Sequence, residues 1–106
     1  MEDIIVVMVT VATESQGLEI GRSLIEEKLA ACVNLIKGLR SLYMWEGSLS
    51  DDQEILMLIK TRRSLFPKLK DRVIELHTYE VPEIIALPVV EGSSSYLKWV
   101  AEMTGR

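Results

Sequence analysis

The stretch His77-Thr78-Tyr79-Glu80-Val81-Pro82-Glu83 sets the chain's single histidine beside a phenol and two carboxylates, directly before the apolar run Ile84-Ile85-Ala86-Leu87-Pro88. The single cysteine, Cys32, opens another apolar segment. Thiolate and imidazole are the donors that copper and other soft or borderline ions prefer, with Glu80 or Glu83 as weaker oxygen ligands. One chain holds too few of them for a closed site, so a metal centre depends on whether Cys32 and His77 meet. The competing chemistry is a small-molecule cleft between subunits in which Lys60 and His77 face an anion, Trp45 and Tyr79 form apolar walls and Glu80 orients a donor. Plainer roles exist for each residue. Cys32 serves equally as a small buried hydrophobe, and His77 as the residue that closes a helix at its negative dipole end. Trp45 can pack within a hairpin, and Glu80 and Glu83 can pair with Arg62 or Arg63 at the surface.

Catalysis finds little support in these residues. A lone Cys and a lone His with no local signature do not make a nucleophile and base, and the glycines are too scattered for a phosphate-cradling loop. Gly92-Ser93-Ser94-Ser95 can bind an anion on free N–H groups, but helix capping accounts for it as well. With 12 Lys+Arg against 16 Asp+Glu, the formal net charge is −4, which argues against a nucleic-acid surface. The acidic Asp51-Asp52-Gln53-Glu54 also stands where an RNA-recognition sheet would be basic and aromatic.

The elements that must position these residues follow from the hydropathy pattern. A chain of 106 residues is expected to form one domain spanning 1–106. No apolar run nears the about 20 residues needed to span a bilayer. Met1-Glu2-Asp3 has no basic lead-in of the signal-peptide kind. One unpaired cysteine fits a reducing compartment, so the expected location is the cytoplasm, away from membranes. Ile4 to Val11, almost entirely apolar and β-branched, predicts a central strand. Thr13 and Gln16 form a capping-box pair, and Leu18, Gly21, Ile25 and Leu29 keep helical spacing, which predicts a helix over 14–31. Cys32 to Trp45 alternates and is interrupted by Gly38, the mark of a bulge. Glu46-Gly47-Ser48 turns the chain into a returning strand over 52–61. Ser64 as N-cap, Pro67 in the first turn, and an apolar face of Phe66, Leu69, Val73 and Leu76 predict a second helix ending near His77. A short strand over 83–89, held to an edge or bulge by Pro88, precedes a last helix carrying Tyr96, Leu97, Val100 and Met103. The order β-α-β-β-α-β-α, with an antiparallel hairpin between two crossovers, predicts an α+β ferredoxin-like split βαβ sandwich with an added C-terminal helix.

Helices on one face leave the other face of such a sheet open, yet Ile55 to Ile59 is apolar on both, and the hairpin adds Leu42, Tyr43, Met44 and Trp45. The last helix is too short to cover them all, so a second copy of the chain is the expected partner and the long hairpin its clasp.

Ala30-Ala31-Cys32-Val33-Asn34, Ser41-Leu42-Tyr43-Met44-Trp45-Glu46-Gly47, Ile59-Lys60-Thr61, His77 to Pro88 and Tyr96-Leu97-Lys98-Trp99, in this order and spacing, resemble the CutA family of divalent-cation tolerance proteins. The likeness runs from Val7 to Trp99. It implies a ferredoxin-like subunit in a tight homotrimer, related in architecture to the trimeric PII signalling proteins, with roles in copper tolerance and the binding of copper or another divalent ion; the residues themselves lead us to expect no enzyme. Threefold symmetry would then converge three His77 rings or pair Cys32 with the His77 of a neighbouring copy. The PII likeness implies the alternative of a small anionic metabolite in a cleft between subunits. Two departures stand out. Of a cysteine and two adjacent histidines proposed as copper ligands in some bacterial relatives, the matching positions are Val9, Leu76 and His77, and only the last is retained. Thr78 stands where the family commonly has proline, so the turn into Tyr79 lacks a fixed φ.

Overall fold

The computed structural model describes residues 3–105, so the expectation drawn from Met1 and Glu2 lies outside it. Four strands and three helices follow in the predicted order: β1 (Ile4–Val11), α1 (Glu14–Glu26), β2 (Cys32–Trp45), β3 (Ser48–Arg62), α2 (Phe66–Leu76), β4 (Ile84–Pro88) and α3 (Ser94–Gly105). The sheet has the order β2-β3-β1-β4, antiparallel throughout, which is the ferredoxin-like arrangement. The all-apolar β1 lies inside the sheet between β3 and β4, as its composition requires.

Because side chains alternate along a strand, β1 and β3 each present two distinct faces. Val7, Val9 and Val11 pair with Ile59, Met57 and Ile55 and point toward Ile20 and Leu24 of α1 and Leu69 and Val73 of α2, all buried. This is the core. Each such side chain removed from water contributes roughly 1.5–3 kcal/mol. α1 begins where the capping pair predicts, with the Gln16 amide donating to the Thr13 hydroxyl at 3.2 Å.

The helix ends earlier than the spacing predicts, at Glu26 instead of Ala31. Lys28 turns left-handed at φ 60°, its amide donates to the Ile25 carbonyl, and the Leu29 amide donates to the Leu24 carbonyl at 2.9 Å. That pair of bonds is a Schellman stop, made here without the glycine that announces one in a sequence. The helix face formed by Leu18 and Ile25 stays partly exposed, while Leu29 packs on the core from outside the helix.

β3 starts at Ser48, four residues before the expected strand, because the hairpin stays paired up to its turn, where Trp45 lies opposite Ser48. Glu46 and Gly47, at φ 49° and 82°, form the two-residue turn whose twist matches paired strands. The expected bulge is present, with the register shifting between Ile36 and Leu39 around Gly38 at φ 85°. The hairpin stretches the molecule to 45 × 25 × 22 Å. Ser64 does not cap α2: a 3-10 turn over Arg63–Leu65 leads into it, Leu65 is the N-cap residue, and Pro67 sits at the first helical positions. β4 is an edge strand, with Pro88 opposite Ile5.

The second face of the sheet is only partly covered. α3 crosses one end of it, where the Arg62 guanidinium donates to the Thr104 hydroxyl at 2.9 Å and Val100 is fully buried. The rest, including Leu56 and Leu58, is partly exposed, and Ile36, Ile85 and Leu87 are about half exposed.

Candidate functional site

The second face of β3 carries a sequence of characters set by its two-residue period: Asp52 and Glu54, then Leu56 and Leu58, then Lys60 and Arg62. It is acidic at the hairpin end, apolar in the middle and basic under α3. At the acidic end a cavity of about 840 Å³ opens between the hairpin and the segment leading into β4. Its carboxylates are Asp52, Glu54, Glu80 and Glu83, its aromatic walls Tyr43, Trp45 and Tyr79, and no Lys, Arg or His side chain lines it.

Two phenols are tied to two of these carboxylates. Tyr79 Oη donates to Glu54 Oε2 at 2.6 Å, and Tyr43 Oη donates to Asp52 Oδ2 at 2.5 Å. Burial, then the hydrogen bond and charge of Glu54, push the Tyr79 phenol well above its ordinary value. For Tyr43 the bond to Asp52 is the main cause of a rise. Both phenols therefore stay protonated donors around neutral pH.

His77 lies behind this wall and not in it. It follows the last residue of α2 and is 9% exposed, its ring 4.5 Å from that of Tyr79 at 46°. Nε2 lies 2.8 Å from the Thr10 carbonyl, and the Tyr79 amide donates to Nδ1 at 3.1 Å. A carbonyl only accepts and an amide N–H only donates, so the imidazole is neutral with its proton on Nε2. Both ring nitrogens are engaged within the chain. The turn that follows is anchored by Thr78, whose hydroxyl donates to Gln16 Oε1 at 3.0 Å, while Gln16 Nε2 donates to the Leu76 carbonyl at 3.2 Å. A side-chain bond thus holds the turn where proline would have fixed φ.

The residues named from the sequence fall into two groups. Trp45, Tyr79 and Glu80 share the acidic cavity, with His77 supporting Tyr79 from behind. Cys32 and Lys60 are cross-strand partners at the other end of the same face. There Lys60 Nζ donates to Asn34 Oδ1, and the partly exposed Cys32 Sγ lies 3.9 Å from the same oxygen. Tyr96 adjoins this group; burial first, then the neighbouring Cys32, raises its phenol. Within the chain Lys60 does not meet Tyr79 or Trp45: Glu54 is six residues away along β3, roughly 20 Å of strand. Cys32 and His77 do not meet within the chain either, since His77 bonds to Thr10, opposite Leu56, four residues from Lys60. Among the described residues no three His, Cys, Asp or Glu side chains are grouped to hold a metal ion. Asp52, Glu54 and Tyr43, the polar lining from the hairpin, were not anticipated. Their signal was parity: on one strand, Asp52 and Glu54 share the face of Leu56 and Leu58.

Fold and site define an α+β ferredoxin-like domain with an acid-and-aromatic cleft on a half-covered sheet face. Residues 5–103 match the family described as CutA1 divalent ion tolerance protein, and the chain belongs to that family. It is 53% identical over 100 residues to the divalent-cation tolerance protein CutA of Thermus thermophilus, covering 94% of this chain and 97% of that one. It is 50% identical over 96 residues to human protein CutA, covering 91% of this chain but 54% of the human protein. Among solved structures, the Thermus thermophilus protein superposes with a TM-score of 0.92 at 52% identity over 99% of this chain and 100% of that one. CutA1 from Oryza sativa gives 0.94 at 47% identity over 97% and 94%.

Proposed function

We propose that this chain acts in divalent-cation tolerance as a cytoplasmic homotrimer that binds copper or another divalent ion and catalyses no reaction. The observation that carries this reading is the acid-lined cleft lying on the same sheet face as an uncovered apolar patch. The carboxylates draw cations, the chain as a whole is negative by 4, and the patch calls for further copies of the chain. The name of the Thermus thermophilus relative agrees with the first part. Since one subunit does not gather three ligands, the donors Cys32, His77 and Glu80 would be joined across subunit boundaries. His77 would have to release either Tyr79 or Thr10 to coordinate. The cytoplasmic assignment rests on a single cysteine that has no partner for an intrachain disulfide.

Calorimetric titration of Cu(I), Cu(II) and Zn(II) into the wild type and into Cys32→Ser, His77→Ala and Glu80→Gln tests this. Saturable binding that weakens about tenfold or more in at least one variant is expected. Unchanged affinity in all three removes the ligand assignment, and no binding of any ion by the wild type removes the function.

A further inference from the structure

We propose that the acidic cleft binds a linear aliphatic diamine or polyamine, its ammonium groups held by separate carboxylates and its methylenes lying against the aromatic walls. This rests on the reading of the cleft as a cation surface and names the class of cation.

Glu54 points most directly to an ammonium ion. It is 7% exposed, a degree of burial at which a carboxylate ordinarily has a cationic partner, yet its one hydrogen bond comes from the neutral Tyr79 phenol. Its second oxygen, Oε1, accepts no bond from any described residue. No fully enclosed side-chain nitrogen or oxygen among the described residues lacks a partner, so Oε1 is open, and the space Glu54 lines is the cleft. An acceptor of that kind is completed by an N–H donor. A primary ammonium supplies three, whereas a quaternary ammonium supplies none.

The spacing of the other carboxylates separates a diamine from a single ion. Asp52 and Glu54 stand on β3, Glu80 and Glu83 on the segment leading into β4, and among the described residues no three converge on one point. A divalent metal needs converging oxygens at about 2.0–2.6 Å. Two charges on a flexible chain are matched instead by carboxylates on two walls. Trp45 and Tyr43 line the same space, and aromatic rings attract cations and cover methylenes. A volume of about 840 Å³ falls within the range of small-molecule sites, roughly 300–1,000 Å³.

The test uses the full chain in its native oligomer. 1,4-Diaminobutane, spermidine, 1-aminobutane and 1,4-butanediol are titrated by calorimetry, with Zn(II) alongside. The two tryptophans are separated by Trp99→Phe, so that quenching of the remaining fluorescence reports on Trp45. Expected are saturable binding of the diamine and spermidine, quenching in the Trp99→Phe background, binding of 1-aminobutane about tenfold weaker, and none of the diol. Glu54→Gln, which keeps an acceptor for Tyr79, should weaken the diamine about tenfold or more, and the exposed Glu80→Gln serves as a second variant should Glu54→Gln not fold. Diamine affinity equal to that of 1-aminobutane, or unchanged in a folded Glu54→Gln, overturns the proposal. Zn(II) binding without amine binding overturns it and leaves the cation reading standing. Binding of neither overturns both, and includes the case in which a neighbouring copy fills the cleft.

Discussion

At the scale of single residues, the site depends on a relay of hydrogen bonds that begins in the core. Thr10 fixes the imidazole of His77, His77 receives the Tyr79 amide, and the Tyr79 phenol orients Glu54. Replacing His77 by Ala leaves the Thr10 carbonyl and the Tyr79 amide without partners and opens a cavity. The expected loss, from urea denaturation, is about 2–4 kcal/mol. Tyr79 makes a pH-dependent contribution. Its phenol is raised by burial and by Glu54, so the native state holds a proton that the unfolded chain loses near pH 10. The stabilisation is fully present below that pH and falls away as pH rises beyond it. Denaturation of wild type and Tyr79→Phe between pH 8 and pH 11 should therefore show a stability difference that is constant up to about pH 10 and then shrinks.

At the scale of elements, left-handed residues decide where segments stop. Gly47 and Gly38 signalled their turn and bulge in the sequence, because φ values of 82° and 85° suit glycine and disfavour other residues. Gly47→Ala should cost about 1–2 kcal/mol by thermal or urea unfolding, since open space around the residue leaves backbone strain as the sole penalty. The end of α1 could not be read in the same way: Lys28 adopts φ 60° without being glycine, and the stop is written in the Leu24 and Ile25 carbonyls. The order of elements, the hairpin and the sandwich class were legible from periodicity together with turn and capping signals. The site was legible only in part. Tyr79, Trp45 and Glu80 came together because they flank one turn and one hairpin. Within one chain Lys60 stands apart from them, because its position along β3 depends on register, which local pattern does not fix.

At the scale of the whole molecule, the second sheet face governs behaviour in solution. Leu56, Leu58, Ile36, Ile85 and Leu87 form an apolar tract between an acidic and a basic end, and α3 covers one end alone. Exposed tracts of this kind are rare in monomers. Leu58→Asp places a charge in the middle of the tract without touching the core face, so it should dissociate the proposed trimer while far-UV circular dichroism still reports a folded chain. The proposed covering of the sheet face, the proposed clasp by the hairpin and the proposed sharing of ligands all depend on association. Sedimentation equilibrium of the wild type at micromolar concentration tests that dependence most directly. The account predicts a single species of about three times the 12.0 kDa chain mass, and a stable 12.0 kDa monomer would contradict it.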